Sequence, residues 1–411
     1  MFNLSFIQKL KKKFFPFYKN SQIRFVFKKL QEDFPAQKTT AMFVGGCVRK
    51  YLSNEDIDDI DIATSLTTDQ IKDRFKNTNF SVVDSGIKHG TITLVLDKLK
   101  LGLTTLRKDI RTDGRHAEVE YTDNWREDSA RRDFTINAIY LNISGEIFDP
   151  QLGVQDLKEC KIKFIGDPQQ RIEEDYLRII RFVRFSLQYE SEIEDTTVTA
   201  IKLNLNGIKK ISKERILSEL FKILKIKEFV KLNNNKSLKE IFSLIFPEFK
   251  YYEGLNKIDK IFYESKLNTS ILLGILLIDE ANNHEYFSHK YNISNDLNDS
   301  LNLLAKNFTN IRDNKNFLKK DLKKNAYYFG KEHLKELNII FYSNNKDVKF
   351  KDYLISLRNI QKLSIPKFPI DGKYLKNKGM KEGLIIGKVL KLIEVEWINN
   401  DFKISDEKIL K

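Results

Sequence analysis

Cysteine is nearly absent from this 411-residue chain, which contains only Cys47 and Cys160. Two isolated cysteines fit no zinc-binding spacing, and their scarcity indicates a reducing compartment rather than a disulfide-stabilised secreted fold. The five histidines form neither a His-Asp pair nor a His-x-x-x-His pattern, which argues against a zinc site or a metal-dependent phosphohydrolase module. No segment approaches the roughly 20 apolar residues that cross a bilayer. The longest apolar run, Ile271 to Ile278, is interrupted by Gly274 and predicts a core helix.

Basic residues exceed acidic ones, with 71 Lys and Arg against 57 Asp and Glu and a formal net charge of +14. This excess favours a polyanionic partner, although a lysine-rich genome gives the same composition. Residues 1–18 are basic and aromatic, but their lysines interrupt the apolar stretch that a secretory signal needs. We therefore expect a cytoplasmic protein without a membrane partner, with mitochondrial import as the lesser alternative. The sequence leaves the oligomeric state unknown.

The pattern of apolar residues changes near residue 165. Short β-rich runs precede this point, and helical periodicity predominates after it. The predicted strands are at 41–44, 59–63, 80–83, 91–96, 103–106, 117–121 and 139–141, and a helix at 21–33 leads into the first of them. The sequence therefore predicts an α+β head followed by an all-helical remainder.

A glycine pair, Gly45 and Gly46, follows the first predicted strand and precedes a predicted helix. Glycines let the backbone turn tightly, and the free N–H groups of a helix N-terminus can hold phosphate oxygens. Arg49, one turn into that helix, would add a bidentate positive charge. A glycine pair is often only a turn, so this interpretation depends on its neighbours.

Two carboxylates, Asp59 and Asp61, follow this turn at a spacing of two residues. On a strand both would point to one face, while the intervening isoleucines would point to the core. Carboxylates so placed can share a pair of divalent ions that activate an attacking oxygen and stabilise a leaving one, as in nucleotidyl transfer. A solvated edge strand is the alternative. Asp56 and Asp58 have the same spacing, but only the later pair is continued by apolar strand residues.

A second polar cluster lies at Arg132, Asp133 and Asn137. Carried on one helix or turn, these side chains could gather phosphate and ribose hydroxyl groups at one site. A surface salt-bridge cluster is the competing interpretation.

A third cluster predicts a helix whose polar half carries two carboxylates and three arginines. These residues are Glu174, Asp175, Arg178, Arg181 and Arg184. An amphipathic helix with ordinary ion pairs explains the pattern equally well. The functional hypothesis is base selection: a carboxylate accepts from the exocyclic amine of cytosine or adenine, and a guanidinium donates to the ring nitrogen. Asp175 with Arg178 would thus exclude uracil and guanine without a nucleic-acid template.

Together these motifs resemble the class II tRNA nucleotidyltransferase and bacterial poly(A) polymerase family, which has the DNA polymerase β nucleotidyltransferase fold. The resemblance rests on motifs in matching order and spacing. They are Gly45-Gly-x-Val-Arg49, Asp59-x-Asp61, the Arg-Arg-Asp-x-Thr-x-Asn segment at 131–137, Asp149-Pro with Gly153, Glu174-Asp-x-x-Arg178-x-x-Arg181 and Ile211-Ser-x-Glu-Arg-Ile216 with Glu219-Leu. The segment from Phe368 to Trp397 is also similar to the family's C-terminus.

The resemblance implies addition of C and A to the tRNA 3′ end from CTP and ATP. It also implies Mg²⁺ at Asp59 and Asp61, and nucleotide contacts from the glycine turn, Arg49 and the arginines of the later motifs. The implied fold is a five-stranded, mostly antiparallel head sheet with flanking helices, followed by an all-α neck, body and tail. The expected boundaries are 1–37 for a basic extension and leading helix, 38–164 for the head, 165–230 for the neck, 231–350 for the body and 351–411 for the tail. Asp113, Gly114 and Arg115 resemble the loop that switches the site from C to A addition.

Two positions depart from the family's pattern. Lys50 stands where an aspartate usually follows the arginine of the first motif, and Gly102 stands where many relatives carry a glutamate that completes the acidic site. The alternatives within the family are a poly(A) polymerase and a specialist that adds only CC or only A. Outside it, a catalytically weakened RNA-binding relative is the alternative that these two departures favour.

Overall fold

The computed structural model describes residues 16–86, 90–112, 117–262, 267–279, 281–381 and 383–403. By internal contacts the chain forms two compact units. The first comprises Met1–Phe229 and Asn235–Phe246, and the second comprises Val230–Asn234 and Pro247–Lys411. The predicted loop residues Asp113, Gly114 and Arg115 lie outside the described residues.

All described strands belong to the first unit. They are β1 (Ala41–Val44), β2 (Ile60–Thr64), β3 (Ser81–Gly86), β4 (Thr91–Leu96), β5 (Leu99–Thr105), β6 (Arg107–Thr112), β7 (Ala117–Tyr121), β8 (Tyr140–Leu141) and β9 (Ile147–Phe148). One sheet has the order β3-β4-β5-β2-β1-β8-β9, and β6 pairs with β7 in a separate two-stranded sheet. All pairings are antiparallel except that of β2 with β5.

The main sheet has seven strands, so the expected number of five was wrong. The difference includes β8 and β9, which have two residues each and extend the sheet beyond β1. Strands this short carry no alternating pattern that a sequence could reveal. The expected mostly antiparallel arrangement is confirmed, and β1, buried at all four positions, lies inside the sheet.

Ten α-helices accompany the strands in the described part of the first unit. They are α1 (Ser21–Gln31), α2 (Gly46–Leu52), α3 (Thr68–Phe75), α4 (Trp125–Ala130), α5 (Gly153–Lys158), α6 (Pro168–Glu174), α7 (Leu177–Gln188), α8 (Asp195–Asn204), α9 (Lys213–Leu224) and α10 (Lys236–Ile245). The Asn20 side chain caps α1 by accepting from the backbone N–H groups of Gln22 and Ile23. This helix buries Ile23, Val26, Phe27 and Leu30, which recur at helical spacing.

The predicted helix through Glu174 and Arg184 is broken, which corrects the sequence expectation. α6 ends at Glu174, and Asp175 is extended with φ −155° and ψ 104°. α7 begins at Leu177, whose backbone N–H donates to Asp175 Oδ1 at 3.1 Å. An aspartate that bonds a backbone N–H two residues ahead competes with helical hydrogen bonding, which explains why a single wheel does not describe this segment.

The second unit is helical throughout its described residues. Its α-helices are α11 (Glu253–Phe262), α12 (Thr269–Leu277), α13 (Asn283–Tyr291), α14 (Asn295–Asp313), α15 (Leu322–Phe329), α16 (Lys331–Asn344), α17 (Phe350–Lys362), α18 (Gly372–Asn377) and α19 (Leu384–Asn399). Residues Ile271 to Leu277 are all buried, which confirms the predicted core helix. Within the described ranges, no helix has the length and apolarity needed to span a membrane.

Candidate active site

A cavity of about 930 Å³ opens in the first unit where β1 passes into α2. Five of the predicted site residues line it: Gly46, Arg49, Asp59, Asp61 and Arg184. These residues come from three separate stretches of sequence, and the fold brings them to one place. The other predicted site residues that the structure describes do not line this cavity. Most of them belong to hydrogen-bonded groups near it.

The glycine turn includes Gly46, which lines the cavity. Gly45 has φ 73°, a left-handed conformation that favours glycine, and α2 begins at the next residue. A Cβ atom added to either Gly45 or Gly46 would meet no atom within 4 Å. The backbone here can therefore be approached closely by a ligand.

The two predicted metal-binding carboxylates face the same cavity. Asp61 is the second residue of β2, and Asp59 comes immediately before that strand. Partial burial raises the pKa of the Asp61 carboxyl, the Arg132 charge lowers it, and the Asp59 charge raises it again. Negative charges held together in this way favour a cation, and carboxylate oxygens suit a hard divalent ion. Among the described residues no group of three or more His, Cys, Asp or Glu could hold a metal, so the candidate ligand set is this pair.

Asp58, from the alternative pair Asp56 and Asp58, has a lysine partner. Lys50, the first departure from the family pattern, donates to Asp58 Oδ1. This hydrogen bond lowers the pKa of the Asp58 carboxyl against the opposing effect of burial. Lys50 is thus already paired with Asp58 at the cavity edge, and the described residues show no lysine salt bridge to Asp59 or Asp61.

Gly102, the second departure, lies directly beside Asp61. The two residues are partners in the parallel pairing of β2 with β5. A Cβ atom added to Gly102 would lie 2.8 Å from Asp61 Oδ1. A side chain at this position therefore faces the carboxylate pair, and glycine contributes no third carboxylate to it.

Gly102→Ala is expected to slow catalysis because the added methyl group forces the Asp61 carboxyl to move. A displacement approaching 1 Å at a reacting centre costs about 100-fold in rate, so we expect a loss between about 10-fold and 100-fold. Single-turnover kinetics measure this loss. Gly86→Ala is the control, because its Cβ atom would meet its nearest atom at an ordinary 3.6 Å. Equal rates for the two variants would contradict the proximity of Gly102 to the working carboxylate.

Arg49 is buried and held on several sides. Its exposed fraction is 5%. Its Nε donates to the Tyr189 hydroxyl at 2.9 Å, and its guanidinium also donates to Asn137 Oδ1. The Tyr189 hydroxyl in turn donates to Glu55 Oε1 at 2.9 Å. Burial raises the pKa of Tyr189 to about 12; the Arg49 charge lowers this pKa and the Glu55 charge raises it. The hydroxyl therefore stays protonated and donates to Glu55.

Three guanidinium groups surround one aromatic ring beside the cavity. Arg49, Arg181 and Arg184 lie 4.6, 5.6 and 4.0 Å from the ring centroid of Phe185. Glu219, 2% exposed on α9, accepts from Arg184 Nε at 2.7 Å and lies 3.6 Å from Arg181. Burial lowers the pKa of Arg184, Glu219 raises it, and the charges of Arg181 and Arg49 lower it. This concentrated positive charge suits a polyphosphate.

The second predicted cluster divides into two hydrogen-bonded groups that are partly or fully buried. Asp133 accepts from Arg181 Nε at 2.8 Å and from Asn137 Nδ2 at 2.9 Å. Burial raises the pKa of Asp133, but Arg181 and Asn137 outweigh it and lower the value to about 2. Because Asn137 also accepts from Arg49, this group connects two of the guanidiniums around Phe185. Asn137 is buried and Asp133 is half-buried, contrary to the surface-cluster alternative.

Arg132 turns instead towards Asp128, a residue that the sequence did not single out. Asp128 is 1% exposed and accepts from Arg132 at 2.9 Å, Arg131 at 2.6 Å and the Tyr140 hydroxyl at 2.7 Å. Burial raises the pKa of Asp128, but the two arginines and the tyrosine hold it well below its usual range. Asp128 thus fixes the Arg132 charge that acts on Asp61.

Asp128→Asn is expected to destabilise the protein by about 3–5 kcal/mol at pH 7, because it leaves buried arginine charge uncompensated. Asp123→Asn is the control, since Asp123 is exposed and lies 3.8 Å from Lys38. Such an exposed pair contributes at most about 1 kcal/mol.

Because the folded-state pKa of Asp128 is depressed, its contribution to stability is complete above its ordinary pKa of 3.8 and falls as the pH decreases below this value. Chemical denaturation across this pH range measures both effects, and equal stability of the two variants would refute them.

The residues predicted to select the base have other partners in this structure. Arg178 is 9% exposed and donates to Glu174 Oε2 at 2.6 Å and to the Arg171 carbonyl at 2.9 Å. Asp175 Oδ2 accepts from Arg215 of α9 at 2.8 Å. Asp175 and Arg178 are therefore held separately, one by the neck-motif arginine and the other by the preceding helix.

Several lining residues were not predicted from the sequence. Lys222 of α9 and Lys225, the residue just after this helix, line the cavity together with Tyr189, and Lys222 also pairs with Glu219 at 2.9 Å. The i,i+3 spacing of the two lysines puts them on one helix face, but only the fold shows which cavity that face meets.

Comparisons with known proteins match most of this chain to one group of relatives. The family model "Poly A polymerase head domain" matches residues 41–163, and "Probable RNA and SrmB- binding site of polymerase A" matches residues 192–252. The CCA tRNA nucleotidyltransferase 1, mitochondrial, of Mus musculus is 30% identical over 423 residues, covering 93% of this chain and 88% of the relative. The CCA-adding enzyme of Staphylococcus haemolyticus is 31% identical over 391 residues, covering 90% and 92%.

Solved structures match the fold over nearly the whole chain. The Bacillus stearothermophilus CCA-adding enzyme in complex with CTP has a TM-score of 0.67 at 23% identity, with 92% of each chain covered. The Thermotoga maritima CCA-adding enzyme complexed with tRNA has a TM-score of 0.58 at 23% identity, covering 94% of this chain and 97% of that one. At these identities the structural likeness establishes the fold alone.

Proposed function

The chain belongs to the CCA tRNA nucleotidyltransferase and poly(A) polymerase family, and from this membership we propose that it adds C and A to the 3′ end of tRNA. CTP and ATP are the substrates and pyrophosphate is released. The observation that carries the proposal is the convergence of Asp59, Asp61, Arg49 and Arg184 on one cavity. Relatives named for CCA addition align over most of both chains, which favours this activity over the other members of the family.

Asp59 and Asp61 are the proposed catalytic carboxylates and the ligands of divalent metal, which we propose to be Mg²⁺. When bound, such ions supply Lewis-acid activation of the attacking ribose hydroxyl and charge stabilisation of the leaving pyrophosphate. Burial and, to a smaller extent, the Asp59 charge raise the pKa of Asp61 against the Arg132 charge, which supports a site where the ionised pair is only partly stabilised by the protein. This is the condition in which added cations stabilise the site.

The positive side of the cavity is proposed to bind the triphosphate. Gly45 and Gly46 leave room for a phosphate against the start of α2, and Arg49 and Arg184 add fixed charge beside it. Hydrogen bonds to Tyr189, Asn137 and Glu219 hold these two guanidiniums in place before a substrate arrives. Preorganised charge of this kind stabilises developing negative charge without reorganisation during the reaction.

The remaining predicted residues have proposed supporting or base-selecting roles. Arg132, Asp133, Asn137 and Arg181 position the phosphate-binding charges, and Glu174, Asp175 and Arg178 form the base-selecting segment. The head, neck, body and tail boundaries and a cytoplasmic location also remain proposals, since the relatives include both bacterial and mitochondrial proteins.

The test is addition to three tRNAs that end before the first C, after the first C and after CC, with each nucleoside triphosphate supplied separately. We expect CTP to extend the first two and ATP to extend only the third. Products one nucleotide apart are resolved on a denaturing gel. A long adenosine tail would identify a poly(A) polymerase instead, and extension of only one class of tRNA would identify a specialist.

A further inference from the structure

A second cavity, of about 810 Å³, lies at the other end of β1 from the active site. Its lining combines one face of α1, the residues that lead into Ala41, and the turn at 142–144 after β8. Ala41 begins β1 and Val44 ends it, so the two cavities are separated by a strand about 13 Å long. A ligand here is therefore separate from the nucleotide in the active site.

The walls of this second cavity are fixed by side chains bonded to backbone. Gln31 Nε2 donates to the carbonyls of Pro35 and Lys38, at 3.0 and 2.8 Å, and its Oε1 accepts from Thr40 Oγ1 at 2.8 Å. On the opposite wall, Asn142 Oδ1 accepts from the backbone N–H groups of Ser144 and Glu146, at 3.0 and 2.8 Å. These bonds fasten both walls in their present positions, so the opening is a built feature.

The lining is strongly basic. Lys19, Arg24, Lys28 and Lys38 contribute to it, and Glu32 is its single acidic residue. Glu32 is paired with Lys29 at 2.9 Å, so its charge is already balanced by a residue outside the lining. Arg24 and Lys28 are exposed one helical turn apart, and neither has a carboxylate partner in the described ranges. Like charges four residues apart on one helix face repel each other mildly, and a bound anion relieves this repulsion.

The aromatic lining residues are unsuited to binding a base. Phe27 is 7% exposed and packs on Phe43 at 4.6 Å between ring centroids. Tyr18 makes edge contacts with Phe17 and Tyr51 at 5.8 and 5.7 Å. A free nucleotide would thus gain neither a stacking surface nor an unpaired carboxylate to hold its metal, whereas backbone phosphates need only the positive charge.

We propose that this cavity is a second RNA-binding site, in which Arg24 and Lys28 contact backbone phosphates of the tRNA. The inference rests on the proposed function for the identity of the RNA, but its evidence is a different cavity and different residues. The contact adds affinity and carries no sequence preference, because phosphates are common to all tRNAs.

The test compares wild type with the double variant Arg24→Ala/Lys28→Ala by tRNA binding at salt concentrations from 50 to 200 mM. Each phosphate contact contributes a log–log slope of about −0.7 to −0.9, so losing two makes the slope shallower by about 1.4 to 1.8. The ratio of wild-type to variant affinity should then change about 7- to 12-fold across this range. The kcat at saturating tRNA and the KM for CTP should be unchanged.

The matched control is Lys76→Ala/Lys98→Ala, which removes the same charge from exposed positions outside the cavity lining. An equal slope change in both double variants would overturn the proposal, because the effect would be one of net charge alone. Unchanged tRNA binding together with weaker CTP or ATP binding by equilibrium dialysis would also overturn it and assign the cavity to a nucleotide. Failure of the proposed function is distinguishable, since wild type itself would then add no C or A.

Discussion

Asp59→Asn and Asp61→Asn are each expected to lower nucleotide addition below about one thousandth of the wild-type rate, a loss of about 4 kcal/mol in transition-state stabilisation. Both carboxylates line the active-site cavity, and each variant removes one of only two candidate metal ligands among the described residues. tRNA binding should remain nearly unchanged, because phosphate contacts elsewhere in the chain dominate it. Single-turnover addition and a binding assay on the same preparations separate the two effects.

A second readout does not depend on activity. Ligands that bind only the folded state raise its unfolding temperature, so Mg²⁺ should raise the Tm of wild type. The Asp61→Asn variant should lose this increase. Without metal, the same variant should be at least as stable as wild type, because it removes a carboxylate whose pKa is raised by burial and, to a smaller extent, by the Asp59 charge.

Asp58→Asn and Asp56→Asn are the controls for the choice of carboxylate pair. Asp58 is exposed and bonded to Lys50, so its loss should change addition by less than about threefold. Near-normal activity of both Asp59→Asn and Asp61→Asn, or equal losses in all four variants, would show that the metal site has been placed on the wrong residues.

Local patterns predicted the central part of the fold and of the site. The strands at 41–44, 91–96 and 117–121 agree with β1, β4 and β7 in both bounds. Gly46, Arg49, Asp59 and Asp61 lie close together in sequence, so a turn and a strand register were enough to place them in one cavity. Alternation and glycine turns are local signals, which explains why these strand bounds agree and why these four residues were expected to lie together.

Features that depend on distant contacts were not predictable from the sequence. Asn137 and Arg49 bond across 88 positions, and Arg215 and Asp175 bond across 40. The break at Asp175 follows partly from such a contact, because its two carboxyl oxygens serve different elements, Leu177 of α7 and Arg215 of α9. A helical wheel assumes that a segment is continuous, and it contains no information about the neighbour that interrupts it.

This break changes how base selection can work. Asp175 lies between two helices and has an external anchor, Arg215, while Arg178 is anchored by Glu174 within its own segment. To select cytosine and adenine, Arg215 must hold the Asp175 carboxylate towards the base, and Glu174 must hold the Arg178 guanidinium towards it. Arg215 is accordingly a positioning residue in this proposal.

Asp175→Ala and Arg178→Ala are therefore each expected to lower the ratio of kcat/KM for CTP to that for UTP on a tRNA lacking its terminus. A site built to hydrogen-bond a base loses about 1–3 kcal/mol of discrimination when a buried partner is left unpaired, which corresponds to about 5- to 150-fold in this ratio. The ratio of kcat/KM for ATP to that for GTP should fall in parallel, since adenine presents the same amine and ring nitrogen.

Arg215→Ala should lower both ratios less, because the Asp175 carboxylate remains but is no longer fixed. Lys213→Ala, two residues away and exposed, should leave both ratios unchanged. If Asp175→Ala and Arg178→Ala slow turnover but preserve both ratios, the segment serves only to connect α6 with α7, and the base is selected elsewhere.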